Sequence, residues 1–589
     1  MRKLFGAALC ALCLARFAFG QAASVRPDDT FYADVAQWEQ RGLLEQAPNL
    51  RPYPLHIVRG ILETVMEAGN ERDAEIAREH YERIFSKPLT VSLEGGGALA
   101  VRRRSGGDGR DTETARHGFV AAAASGSMQL TPLVSYAYDA GIFARRNQEL
   151  LPLHVNSCRN AIFDSVEMGP LDAYVDANMA AAVGSDSIYA SAGLGRSGYG
   201  PFLNGGFALN DSAFHSVNIA FAFIRSRWNY VHQLSSLGAT DMTGSVDSLS
   251  YNKFFALHAV ELRPLRGLSV SYYESVVFGH RFEFAYALPL MFMAAQNLSG
   301  ANDNLQMGIL VEWMPFDRLM WTTDMFFDDY DLDELFKGSF DAKNRFGFRT
   351  GLSYTPENSV LARIGLDYTV QTPYLYAHWD YEGDRYRTYT ARTMNYQNYT
   401  NAGLPFGSSL PPNSDRIALS ATFRPARGLS LTLSGAFMRH ANVCEDYSDD
   451  EAYYYIAEGK SLRTDGSLYS SQMYGGGDTH IASAWDRLSL LSQDDTRYTV
   501  QAGLQAEYAL PVRTKASVSL KFGYMFEYIR NAGIDRDIWA YNAKYSAESL
   551  PEPSAADKAA AVEAARRAWQ DALYDEMNHY ISLSLKVAY

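Results

Sequence analysis

From Leu89 onward the chain alternates apolar and polar residues with a period of two. Ile417, Leu419, Ala421 and Phe423 are separated by Ala418, Ser420 and Thr422, and Leu429, Leu431 and Leu433 by Ser430 and Thr432. Val518, Leu520, Phe522 and Tyr524 repeat the pattern against Ser517, Ser519, Lys521 and Gly523. This is the signature of strands with one apolar and one polar face. Before Leu89 the period is helical. Val58, Ile61, Leu62, Val65 and Met66 mark one face of a helix that Pro54 opens and Gly69 stops. Phe31, Val35 and Trp38 before Gly42 predict an earlier helix, and Ala77, Tyr81 and Ile84 before Pro88 a third. So small a helical unit needs a surface to lean on, and the base of the strand region is the candidate.

A soluble sandwich would show the same alternation, so the connections decide. Short turns at 264–267, 315–318, 356–358 and 425–428 alternate with long segments at 279–302, 371–413, 441–496 and 530–577. Transmembrane barrels have short periplasmic turns and long outer loops. The last nine residues, Ile581 to Tyr589, also alternate and end on an aromatic. They resemble the sorting signal that the barrel assembly machinery reads in bacterial outer-membrane proteins, with Tyr589 as its terminal aromatic. The expected fold is a transmembrane antiparallel β-barrel of 16 to 18 strands, 18 favoured, with a small N-terminal periplasmic helical bundle. With Tyr589 in the periplasm, even parity puts all four long segments outside.

Arg2 and Lys3, an apolar run to Leu14 and Ala18-Phe19-Gly20 read as a secretory leader. The expected organisation is leader 1–20, helical bundle 21–88 and barrel 89–589. Cys10 and Cys13 lack a lipobox, so acylation is not expected. Cys158 and Cys444 could pair after export or stay free, the free reading being preferred. No later run approaches the roughly 18 apolar residues of a membrane-spanning helix. A mean hydropathy of −0.21 fits a barrel whose apolar positions are diluted by alternation, and 38 Tyr suit aromatic girdles. The net charge of −14 becomes −17 once Arg2, Lys3 and Arg16 leave with the leader. That disfavours nucleic acid or anionic lipid as a ligand and is neutral toward uncharged sugars.

Candidate chemistry is sparse. Tyr447, Tyr453, Tyr454 and Tyr455 lie among six acidic residues in 441–459. They read either as a solvated loop or as rings that stack on sugars. Arg196, Glu274, Asp324 and Asp328 are expected to face the lumen and pair with one another, because ionised groups facing lipid cost about 2–4 kcal/mol. A ligand or ion site is the alternative. Asp328, Asp329, Asp331 and Asp333 lack the Gly and Glu of a calcium loop, and no metal or other cofactor is expected. Ser554 can cap a helix running through Val562, Ala565, Trp569 and Leu573 in the last long segment. No nucleophile elbow, zinc helix or phosphate loop occurs, so no catalytic residue is nominated.

Four ordered stretches resemble the capsule assembly protein Wzi family. They are Gly195-Arg196-Ser197-Gly198-Tyr199-Gly200-Pro201 with Gly206–Ala213 written as GFALNDSA; Glu274-Ser275-Val276-Val277-Phe278-Gly279; Asp303-Asn304 with Phe327-Asp328-Asp329; and Leu366-Asp367-Tyr368-Thr369 with Pro373-Tyr374-Leu375-Tyr376, Asn398-Tyr399-Thr400-Asn401, Gly403 and Asn413-Ser414-Asp415. The resemblance implies an outer-membrane barrel with a periplasmic helical bundle that binds surface polysaccharide as a lectin; a monomer is expected. The acidic loop and the helical insertion depart from it and leave the ligand open. A diffusion porin or substrate-selective channel, and a surface adhesin, are the competing expectations.

Overall fold

The computed structural model describes residues 24–86, 89–106, 109–146, 166–168, 171–201, 206–211, 213–241, 249–296, 303–329, 337, 344–378, 394–441, 490–491, 495–512, 516–532 and 554–589. Its strands close into an 18-stranded antiparallel barrel, as expected. The first nine are Leu89–Gly106 (β1), Gly109–Thr131 (β2), Val134–Arg146 (β3), Leu171–Ser185 (β4), Ile188–Gly195 (β5), Ser216–Arg225 (β6), Trp228–Asp241 (β7), Ser250–Leu265 (β8) and Leu268–Gly279 (β9). The rest are Asn304–Phe316 (β10), Leu319–Asp329 (β11), Arg345–Tyr354 (β12), Leu361–Gln371 (β13), Ser414–Ala426 (β14), Leu429–Ala441 (β15), Thr496–Leu510 (β16), Ser517–Ala532 (β17) and Tyr574–Ala588 (β18). β18 closes on β1 from Ser92↔Ala588 to Gly106↔Tyr574. Outward positions such as Leu93, Ile219, Leu419, Leu433 and Leu583 are exposed apolar side chains. They form the belt that lipid covers.

The short turns follow from local chemistry. Gly267, Arg318, Asn358 and Gly428 all have positive φ, between 50° and 76°. In the turns after β8, β10 and β14 the pairing shifts register beside that residue. A left-handed residue followed by a bulge is a common way to reverse a hairpin. The strand ends that lead into the long connections, Gly279, Gln371, Ala441 and Ala532, lie at the opposite end from Leu89 and Ala588.

Three helices, Thr30–Gln40 (α1), Leu55–Ala68 (α2) and Glu71–Phe85 (α3), sit at the short-turn end. Asp29 caps α1 through Phe31 N, and Asn70 caps α3 through Asp73 N. Phe31, Trp38, Val58, Leu62, Val65, Ala77 and Ile84 form their shared buried seam. Gln40 Nε2 donates to the carbonyl of Arg318 at 2.7 Å, and Arg72 Nη2 to that of Arg424 at 2.7 Å. The helices therefore brace the turns themselves. Two short helices, Phe284–Ala287 (α4) and Met293–Gln296 (α5), follow β9, and Ala555–Ala572 (α6) precedes β18. Ser554 caps α6 in a reciprocal box with Asp557.

Two carboxylates of α1, the buried Asp34 and the half-buried Glu39, behave in opposite ways. Burial alone would raise Asp34, but Arg424 and His80 hold it down at about 2. Burial pushes Glu39 up to about 8, although it accepts a hydrogen bond from Ala47 N at 2.7 Å. Because the folded value of Glu39 lies above its ordinary 4.5, its contribution to stability is full below about pH 4.5. It is lost as pH rises through 8. Helix-bundle stability should accordingly fall between pH 5 and 8, and Glu39→Gln should flatten that limb and be the more stable form at pH 8. Thermal protection of the bundle from protease, measured across this range, checks it.

Candidate functional site

The inner side of the barrel is unevenly filled. Along β7 to β11, Phe255, Leu257, Tyr273, Val277, Leu310 and Phe326 turn inward into one buried core. Two connections from the long-loop end drop into the lumen to complete it. In the 195–216 segment, Phe207 stacks on Phe326 and Asn210 N donates to Phe406 O at 2.8 Å. In the 371–414 segment, Tyr376 and Tyr399 stack at 5.1 Å, and their hydroxyls donate to the carbonyls of Phe207 and Ala208. Asn401 Nδ2 reaches the carbonyl of His215 at 2.9 Å. The two connections thus lock each other in place.

The N-terminal segment meets them from the other end. Leu50–Arg51 pairs as a short strand with Gly198–Tyr199. Arg51 Nη2 lies 2.9 and 3.0 Å from the two carboxylate oxygens of Asp211, with both side chains buried. Gly198 leaves the room for this contact, since a Cβ there would sit 1.4 Å from Asp211 Oδ1. Arg26 bridges Asp139 and Asp176 on β3 and β4, and Arg196 meets Asp28 at 3.0 Å. Helices and inward loops are therefore one plug. Removing one member of a buried ion pair costs about 3–5 kcal/mol. Asp211→Ala, and separately Gly198→Ala, should release the 24–86 region to protease at lower temperature while the barrel keeps its heat-modifiable mobility on gels.

The polar residues nominated from the sequence do not pair with one another. Arg196 takes Asp28. Asp324 accepts from Tyr273 Oη at 2.8 Å, and Asp328 accepts from Gln306 Nε2 and from Tyr376 N. These three lie on the inner side, each tying a strand to the plug or to its neighbour. Glu274 corrects the expectation. It points to the outer face of β9, beside Tyr272 and His258, and the segment after β9 covers it. Tyr447, Tyr453, Tyr454 and Tyr455, with Cys158, Cys444, Asp331 and Asp333, lie outside the described residues. Tyr589 holds Val91 through two backbone hydrogen bonds, and its ring is exposed. Sequence reasoning missed Arg26, Arg51 and Asp211. The polar Asn210-Asp211-Ser212 run inside a glycine-rich stretch was the available signal for the last.

Beside the plug, along β13 to β18 and β1 to β3, the lumen keeps a chamber of about 1540 Å³. Small polar side chains line it, among them Ser420, Thr432, Ser434, Gln501, Gln505 and Ser519, together with charges of both signs. It runs from Ala509 and Ser517 at the short-turn rim to Arg439 and Arg497 at the other. Among the described residues no group of three or more His, Cys, Asp or Glu is placed to hold a metal ion.

This architecture has relatives among solved structures. The chain folds as a closed 18-stranded antiparallel β-barrel. It is similar to Wzi of Escherichia coli, described as an outer-membrane, carbohydrate-binding barrel involved in group 1 capsule assembly, at 9% identity and a TM-score of 0.49 over 97% of this chain and 98% of that one. It is also similar to the outer membrane protein OprD of Pseudomonas aeruginosa, at 9% identity and 0.38 over 84% and 93%, and to OccAB2 of Acinetobacter baumannii, at 8% and 0.37 over 84% and 98%. No family model and no curated protein sequence matches the chain.

Proposed function

We propose that this protein holds extracellular polysaccharide at the cell surface, non-catalytically, with its long connections outside and its helices in the periplasm. The observation that carries the reading is the plug. Helices from one end and inward loops from the other fill the β5 to β12 half of the lumen. A barrel built this way invests its inner residues in fixing its outer loops, which is the requirement for a rigid binding surface. The stretches that resemble the Wzi family, 195–201, 206–213, 373–376 and 398–401, are the ones that make this seal. The acidic charge of the chain disfavours nucleic acid and suits an uncharged sugar polymer, for which Tyr447, Tyr453, Tyr454 and Tyr455 are the candidate stacking rings. Purified protein should retain the surface polymer of its own cell on an affinity column, and a deletion strain should shed that polymer. No retention together with unchanged surface polymer would overturn the reading.

A second reading, a selective channel, is favoured by the polar chamber beside the plug. Its lining of hydroxyls, amides and balanced charges is that of a wetted lumen wall rather than of a core. Planar bilayers separate the two. Stepwise conductance by the intact protein supports the channel, and a silent bilayer supports a surface role alone.

A further inference from the structure

The connection after β9 is long, yet its described part does not rise from the rim. On β9, Tyr273, Ser275 and Val277 face the core, so Tyr272, Glu274, Val276 and Phe278 face outward. By the same alternation His258, Ala256 and Phe254 of β8, and Tyr230, His232 and Leu234 of β7, are on the outer wall. These belong at the level where lipid is expected. Glu274 is nevertheless completely buried, and Tyr230, His232 and His258 nearly so.

The cover is residues 281–296. Met293 N donates to Glu274 Oε2 at 2.8 Å, and Leu290 N donates to Tyr230 Oη at 2.7 Å. Glu274 also meets His258 Nε2 at 3.0 Å and accepts from Tyr272 Oη. Tyr286 packs on Phe278 and Phe282 on Phe254, while Arg281 and Tyr286 are both fixed to Asp303. The side turned away from the wall is apolar. Phe282, Phe284, Leu288, Leu290 and Phe292 are all exposed, Leu290 by 70%. Their patch continues the outward belt of exposed Val217 and Ile219 on β6 and Ile309 on β10. Water offers no reason to gather five large apolar side chains on a loop, and a patch of this kind marks an apolar partner.

We propose that residues 281–296 form a flap lying on the outer wall within the membrane, its exposed side against lipid acyl chains, with Glu274 as the latch beneath it. The acyl chains are the occupant that continuity with the belt requires. The flap in turn supplies backbone donors to an ionisable group that lipid could not solvate. The inference rests on the outer-membrane barrel and not on the polysaccharide reading.

The test places single cysteines at Phe284→Cys and Leu290→Cys in full-length protein whose Cys158 and Cys444 are serine. Each carries a bimane label in phosphatidylcholine vesicles, plain or brominated on the acyl chains. Both positions should show blue-shifted emission quenched by the brominated lipid as strongly as Leu583→Cys on the belt of β18. Adding Glu274→Ala should raise labelling at position 290 by a membrane-impermeant maleimide several-fold. Water-like emission without quenching would overturn the proposal. So would shielding without quenching in a particle of more than one copy, which would make a second chain the cover. Unchanged labelling in the Glu274→Ala background would remove the latch. Heat-modifiable mobility identifies which variants have assembled, and two positions keep the test open if one fails to fold.

Discussion

A variant lacking residues 24–86 should show large, frequent conductance steps in planar bilayers where the intact protein shows small steps or none. Eighteen strands enclose a lumen wide enough for an aqueous channel unless something fills it. The N-terminal segment braces the turn at Arg318 and the strand ends at Ser353 and Arg424 and stitches the inward loop through Arg51 and Asp211, but it contributes no strand to the closed sheet. The wall can therefore close without it. Its loss also frees the 195–216 loop, because Leu50–Arg51 is the strand partner of Gly198–Tyr199. The Asp211→Ala variant should fall between the two, with flickering openings as the joint loosens. If the deletion variant inserts, resists heating as folded barrels do and still stays silent, then the inward loops alone seal the lumen and the plug is not what closes it.

Much of this was legible in the sequence for a simple physical reason. A strand between lipid and water must alternate, so Ile417 to Phe423 and Val518 to Tyr524 announced both their period and their lipid face. The proline and glycine turns at 264–267 and 425–428 announced the reversals, and Gly267 and Gly428 take the left-handed conformation such reversals need. Pro54 and Gly69 bracketed α2 at its observed ends. What stayed hidden was tertiary. Nothing local says that 195–216 points inward, because the need for Gly198 appears only when Asp211 arrives beside it. Glu274 misled for a related reason. A charge between Tyr272 and Val276 argues for the lumen only if the outer face is bare, and residues 281–296 cover that face. Alternation gives the two faces of a strand but not what lies on each.

The other large effect concerns the end of the chain. Deleting residues 574–589 should abolish folded barrel altogether, read as loss of heat-modifiable, membrane-inserted protein. β18 carries both the β17 and the β1 seams. Without it seventeen strands remain, and in an up-and-down sheet β1 and β17 run in the same direction. They cannot take over each other's antiparallel seam, so two rows of backbone N–H and C=O groups would face lipid unpaired, each costing several kcal/mol. Tyr589→Asp is the informative contrast. Its backbone bonds to Val91 at 2.9 and 3.0 Å survive the substitution, and its ring is 66% exposed at the rim with little packing to lose. The folded barrel should be almost as stable as before, while assembly in cells should drop because the terminal aromatic is no longer presented to the assembly machinery. Refolding from denaturant into detergent measures the first quantity and membrane yield the second. A fall in both would place the role of Tyr589 in the folded wall, and a fall in neither would remove its role as a signal.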